Sequence, residues 1–581
     1  MRKRLIALVL ACFMLVGILA ACADNTTTPA APGDPAAPAD PAAPADPAAP
    51  AASGATLNYV EPPANWDDPY SETVLIRAAA PHATNWFFEG DDDVNNNPWT
   101  RLYKDRLNIE VDFIWTAPIE EYETRLNMTI AAQDIPDVFT IPRDIDPRLF
   151  GQLQSEGMLL DLTDAYQNHA SQRIRDHEKV DPDTIQGFSV DGRIYGMPRY
   201  YYGQIDQPWH MWVRKDWYED AGSPELRTLD DFENLARTFM RDQGAGYGFG
   251  VDSDLRWLFR TAPIWGAYVG EIYNNEYFWM PDSTGQLKPG FTFPEFETAL
   301  ENWARWYSEG LISPEFMTMD PDGRAKEDLM NGVVGIHCWL QWWGWWGGMI
   351  VAEQDNLDAY FVPFNLPTVD GSKPANGQIF YQNVGVIVAS SNFQNPAAMF
   401  KVISILDHMV FSPDANLTEE ELVYYMGDGR EHAMTGTFAV IDPHADLLQF
   451  QHVLHALESG DTSDLFTTGM KFKYADSLTW RTDPSAENFN SLGAYLQMGF
   501  DGSSYARSQH LFDNNWTIRT ALNGPPPAEF RDAGSTGDII LEEVMQIVMG
   551  NKPVSAWPSV IEQWYSQGGQ IKEDAVNLYY R

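Results

Sequence analysis

Val74-Leu75-Ile76, then Asn97-Pro98-Trp99 through Leu107, then Ile109-Glu110-Val111-Asp112-Phe113: this stretch decides the fold class. The first part is a short apolar run of strand-forming residues. The second starts with a proline near the first helical turn, where a missing N–H leaves no intrahelical bond unmade. The third alternates apolar and polar residues with the period of a strand. Tyr122, Leu126 and Ile130 follow at helical spacing on one face, and Asp134-Ile135-Pro136-Asp137-Val138-Phe139 turns into a further strand. Strand alternating with helix predicts an α/β layer around a mainly parallel sheet.

Downstream the alternation continues. Gly192 to Pro198 reads as a strand entering a turn, followed by Tyr200, Tyr201, Tyr202, Trp209 and Trp212. Met211-Trp212-Val213 is a strand leading to Arg214-Lys215-Asp216-Trp217. Thr228, with Asp231 three residues on, predicts a capped helix start, and Phe232, Leu235 and Phe239 share one face of that helix. Phe296, Leu300, Trp303 and Tyr307 mark another helix, stopped at Gly310. Val384 to Ala389 is continuously apolar, the pattern of a strand covered on both sides.

Between these lies Val333-Val334-Gly335-Ile336, which runs into Trp339-Leu340-Gln341-Trp342-Trp343-Gly344-Trp345-Trp346. So many indoles in so short a run are expected to form an aromatic platform for a ligand rather than a core helix, since pockets combine aromatic walls with a few placed polar groups. Composition points the same way. The chain has 21 Trp and 25 Tyr. Cores favour Leu, Ile and Val, so the surplus is expected to mark a stacking surface.

The N-terminus sets the compartment. Arg2, Lys3 and Arg4 precede an apolar run that ends Leu19-Ala20-Ala21-Cys22, an aliphatic residue, two small residues and a cysteine. That is the lipobox of an exported lipoprotein, with residues 1–22 as signal peptide and the Cys22 thiol as the lipidation site. Residues 23–71 are a disordered tether, rich in Ala, Pro and Asp over Pro29 to Ala52. Such a composition cannot bury a core, and its prolines keep it extended. Of the 3 cysteines only Cys338 would remain unmodified in the exported chain, so no disulfide framework is available and a large apolar core is required. The formal charge of −44 excludes nucleic acid and anionic lipid surfaces as partners.

Other chemistries find little support. The sequence has no G-x-S-x-G elbow, H-E-x-x-H motif or Walker loop. His452 and His455 stand at i, i+3 without evident partner ligands, and no metal or cofactor is expected.

The ordered set of Asn97-Pro98-Trp99, Ile135-Pro136-Asp137-Val138, Gly192 to Pro198, Trp212 to Trp217 with Thr228, Pro367-Thr368-Val369-Asp370-Gly371 and Ile547-Val548-Met549-Gly550 resembles the family 1 extracellular solute-binding proteins. Within that family it is similar to the larger sugar-binding lipoproteins of ABC transporters. The resemblance implies a type II periplasmic-binding-protein fold: two α/β lobes joined by a hinge, with a ligand cleft between them. It implies one lobe from residues 72–200 and about 384–470, and a second from about 201–383 and 471–581. It implies a monomer on the extracellular face of the cytoplasmic membrane, with a carbohydrate as ligand, ABC permease subunits as partners and no catalytic residue. Trp342 and Trp343 are the first ligand-binding candidates, with Trp339, Trp345 and Trp346 beside them. Arg143 and Asp144 match a sugar-contacting segment of the family, and Trp86, Tyr201 and Trp209 are placed by the hinge. The alternatives are a secreted carbohydrate-active enzyme, or a binder of a non-sugar solute such as a peptide.

Overall fold

The computed structural model describes residues 59–579 apart from 83–87, 89, 143–147, 181–184, 200–207, 273–275, 347–355, 380–384, 416, 427–437, 441, 523–526, 528 and 531–532. The signal segment, Cys22 and the tether up to residue 58 lie outside the described residues, as do Trp86, Arg143, Asp144 and Tyr201. Residues 59–71, expected to be tether, pack on the folded body: Val60 and Tyr70 are buried in the core of the first sheet, and the Val60 N–H donates to Asn395 Oδ1 at 2.8 Å.

Strand β1 (Val74–His82) is followed by helix α1 (Pro98–Leu107), β2 (Ile109–Pro118), α2 (Ile119–Ala131), β3 (Val138–Pro142) and, later, β4 (Gly196–Arg199). Helix α1 begins where the sequence predicts. Asn97 Oδ1 accepts from the N–H of Trp99 at 3.0 Å and of Thr100 at 3.1 Å, and Thr100 Oγ1 accepts from the Asn97 N–H at 2.9 Å. These bonds satisfy first-turn donors that the helix itself cannot. The predicted face of α2 is also the buried one at Tyr122 and Leu126. β1 runs parallel to β2 and to β3.

The chain then crosses to a second sheet. β5 (Trp209–Arg214) is its central strand. After it come α3 (Leu229–Thr238), α4 (Pro294–Ser308), β6 (Ile336–Leu340), the short α5 (Trp343–Trp346), β7 (Phe361–Asn365) and β8 (Gly377–Ile379). The Thr228 cap holds: Thr228 Oγ1 accepts from the Asp231 N–H at 3.2 Å, and Asp231 Oδ2 accepts from the Thr228 N–H at 2.8 Å. β6 and β7 both pair antiparallel with β5. This sheet is therefore antiparallel, unlike the parallel start of the first.

β9 (Gly385–Ala389) returns to the first sheet and inserts antiparallel between β3 and β4, giving the order β2-β1-β3-β9-β4. Ile387 and Ala389 pack into one apolar cluster and Val386 and Val388 into another, so this strand is covered on both faces as its unbroken apolar run requires. Each such side chain removed from water contributes about 1.5–3 kcal/mol. Helix α6 (Pro396–Phe411) covers the first of these faces. Helices α7 (Ala445–Ser459), α8 (Thr468–Thr482), α9 (Leu492–Met498) and α10 (Ser504–Asp513) share a separate cluster built on Phe450, Val453, Met470, Met498 and Tyr505. β10 (Thr517–Arg519) then pairs parallel with β8, and α11 (Gly537–Val548) packs on α4.

The tryptophans correct the expectation drawn from composition. Eleven of them belong to the one core around the second sheet. Several have their indole N–H satisfied inside the protein: Trp303 donates to Thr261 Oγ1 at 3.0 Å, Trp306 to Glu233 Oε1 at 2.7 Å and Trp557 to the Phe291 carbonyl at 3.0 Å. The surplus of Trp is thus mainly a way of filling a wide core with few side chains.

Candidate functional site

The parallel strands β1, β2 and β3 end together at His82, Pro118 and Pro142, and Gly385 of β9 pairs with both Pro142 and Arg199 of β4. One edge of the first sheet therefore carries the carboxyl ends of three parallel strands, the start of β9 and the end of β4. Crevices outside the carboxyl ends of such strands are where open α/β sheets hold ligands. The chain segments that contain Trp86, Arg143, Asp144 and Tyr201 adjoin this edge in sequence. At the same edge stands Arg199, whose buried Nε has no hydrogen-bond partner. Burial pushes its guanidinium down to about 10, partly offset by Tyr122.

In the second sheet Trp209 opens β5 opposite Leu340, which closes β6, and His210 pairs with Asn365, which closes β7. This is the edge reached by the crossing from β4. Arg260 lies here, 4% exposed, with its Cζ 4.0 Å from the Trp339 ring centroid and 5.6 Å from that of Trp209. Arg260 Nη2 donates to Glu271 Oε1 at 3.3 Å, while Nε and Nη1 are buried without a partner. The ring of Trp339 meets Trp257 at 5.8 Å and Trp342 at 5.8 Å, both edge to face. The N–H groups of Trp339 and Trp257 also lack partners. A buried donor or acceptor left unmatched costs about 1–3 kcal/mol, so a cluster of them points to water or a solute as the missing partner. His337 and His210 nearby are neutral: burial, aided by the charges of Arg260 and Arg507 respectively, pushes each down to about 3.

The predicted residues separate accordingly. Trp209 and Trp339 face Arg260, and Trp342 meets the ring of Trp339 edge to face. Trp343 turns the other way. It is as buried as Trp209, but its ring packs on His337 at 4.1 Å, Phe361 at 5.1 Å and Trp212 at 5.5 Å rather than on Arg260. Trp345 is 41% exposed and lies 6.0 Å from the ring of Phe472. The side chain of Trp346 is outside the described residues. Arg260 was not anticipated. Its signal was faint, one of two arginines, Arg256 and Arg260, that bracket the apolar run Trp257-Leu258-Phe259.

Comparison with known proteins gives the same architecture. The family model described as bacterial extracellular solute-binding protein matches residues 94–406. Lipoprotein LipO of Bacillus subtilis (strain 168) is 21% identical over 492 residues, spanning 81% of this chain and 86% of that protein. The polygalacturonan/rhamnogalacturonan-binding protein YtcQ of the same organism is 24% identical over 235 residues, 40% of this chain and 44% of that one. Among solved structures, an HMO-binding, ABC-transporter-associated solute-binding protein from Bifidobacterium longum infantis superposes with a TM-score of 0.58 at 15% identity, covering 88% of this chain and 99% of the other. A likeness at that identity establishes the shared fold.

Proposed function

The chain belongs to the bacterial extracellular solute-binding protein family, and from that premise we propose that it captures a carbohydrate and delivers it to an ABC-type importer. The observation that carries this reading is the pairing of Trp339 and Trp209 with a buried Arg260 whose Nε and Nη1 have no protein partner. Sugar rings present apolar C–H faces that suit indole, and hydroxyls that need donors and acceptors at the rim. The names of YtcQ and of the HMO-binding protein, both glycan binders, support the same ligand class.

The first lobe of the proposal is residues 72–200 with the return from Gly385, and the second begins at Trp209. The later boundary falls near Ala445 rather than residue 470, because α7 packs with α8 and α10. The ligand sits between the two sheet edges, in reach of Trp209, Arg260, Trp339 and Trp342 and of the segments carrying Trp86, Arg143, Asp144 and Tyr201. Contact with both lobes favours the closed form, which the permease reads. Cys22 carries the lipid, residues 23–58 span from the membrane, and the protein works as a monomer on the outer face. Among the described residues no helix is long and apolar enough to cross a membrane.

The test is a thermal-shift screen of the full chain in mild detergent against mono- and oligosaccharides. A solute that binds only the folded state adds about 2.7 kcal/mol at a hundredfold excess over Kd and raises Tm. A glycan-specific shift that disappears in Trp339→Ala or Trp342→Ala is the expected result. A flat response to every glycan, with a shift for peptides, would replace carbohydrate with a non-sugar solute.

A further inference from the structure

Arginine is scarce company in this chain: 38 basic residues face 82 acidic ones, and a cation has carboxylates to choose from. Surface arginines use them, as Arg101 does with Asp92 at 2.8 Å and Arg77 with Asp134 at 2.9 Å. Two arginines at the sheet edges do not follow suit. Arg199 closes β4 with a buried, unpartnered Nε, and no carboxylate among the described residues pairs with it. Arg260 sits at the edge of the second sheet with Nε and Nη1 unpartnered. Its one carboxylate contact among the described residues, Glu271 at 3.3 Å, is long for a charge-assisted bond, which runs about 2.7–2.9 Å. Asp252 is also within its electrostatic range, but the oxygens of Asp252 accept the backbone N–H groups of Asp254, Arg256 and Trp257 and make no bond to Arg260.

A buried guanidinium without a matched counter-charge is costly, and neutral hydroxyls accept its hydrogen bonds without balancing its charge. A carboxylate does both. The two cations stand one on each sheet edge, and Trp209, the aromatic neighbour of Arg260, follows Arg199 by only ten residues in sequence. Resting on the carbohydrate reading above, we infer that the captured solute is a uronate-bearing oligosaccharide, its carboxylates received by Arg260 and Arg199 and its ring faces by Trp339 and Trp209. The surrounding protein is strongly acidic, so these two arginines are what admits an anion that the rest of the surface repels.

The experiment is calorimetric titration of the full chain in detergent with oligogalacturonate and oligoalginate, each beside its carboxyl-reduced neutral counterpart. Reduction of the carboxylates leaves the protein untouched and is expected to weaken binding on the order of 100-fold. Arg260→Met and Arg199→Met, each checked for an unchanged thermal transition, are expected to erase most of that discrimination. Arg260→Lys, which keeps the charge, is expected to recover part of it. A neutral oligosaccharide bound as tightly as its acidic partner overturns the inference and leaves the carbohydrate reading in place. Discrimination that persists in both Met variants overturns the assignment to these arginines. Failure of every glycan, acidic or neutral, overturns the carbohydrate reading and the inference together.

Discussion

The two sheets are filled by different kinds of side chain. Around the first sheet the core is chiefly aliphatic, with Val74, Ile76, Ile109, Val111, Val138 and Ile387 on one face. Around the second it is aromatic, with Trp212, Trp217, Trp257, Trp303 and Trp306 in a single cluster. The first sheet has five strands and the second three, and around the smaller sheet large rings fill the core with fewer side chains. The same aromatic wall that closes the second core then continues, at Trp339 and Trp342, into the candidate site. Core and site there are one material, divided only by which way each ring turns.

Several measurements would break or sharpen this contrast. The largest effect is expected where a fully buried ring is removed. Trp212→Ala should cost about 3–5 kcal/mol, and Ile76→Ala in the first sheet about 2–4 kcal/mol, both read from urea unfolding midpoints. An equal or larger loss for the isoleucine would contradict the view that rings carry the second core.

A smaller effect is expected from acid. His337 is buried in the aromatic core, and burial, with Arg260 nearby, pushes it from 6.5 down to about 3. The unfolded chain takes up a proton below pH 6.5 that the folded chain refuses. Stability from this site is therefore full above pH 6.5 and is lost as the pH falls from 6.5 toward about 3, at about 1.4 kcal/mol per pH unit. His337→Gln should remove that part of the slope in unfolding series between pH 6.5 and 4.5, leaving the similar contribution of His210. A variant with an unchanged slope would mean that His337 is protonated in the folded protein.

The smallest effect separates neighbours in the tryptophan run. Trp345→Ala should alter stability by no more than about 0.5 kcal/mol, because the ring is exposed, while Trp343→Ala should behave as a core truncation. A large loss of stability in Trp345→Ala would show that its contact with Phe472 is structural.

Much of the fold was legible from local chemistry. The helix start at Asn97-Pro98, the Thr228 cap, the Tyr122–Leu126 face and the doubly buried β9 all appear where spacing and residue type placed them, because caps and periodicity act over a few residues. The run from Trp339 to Trp346 was harder to read. Its rings are identical in type, and glycines interrupt it, so no period says which face is inward. The antiparallel register of β6 on β5 and the turn into α5 set Trp343 against His337, Phe361 and Trp212, and Trp339 beside Arg260.

The amino-acid sequence by itself determined the strand and helix order, the apolar faces and the membership in the solute-binding family, since these rest on local propensity and on the order of motifs along the chain. Only the tertiary structure decided that β9 inserts antiparallel between β3 and β4, and that Arg260 lies over Trp339 with donors unmatched. Those contacts join residues far apart in the chain, and their energy comes from packing and desolvation at one point in space, which no local pattern encodes.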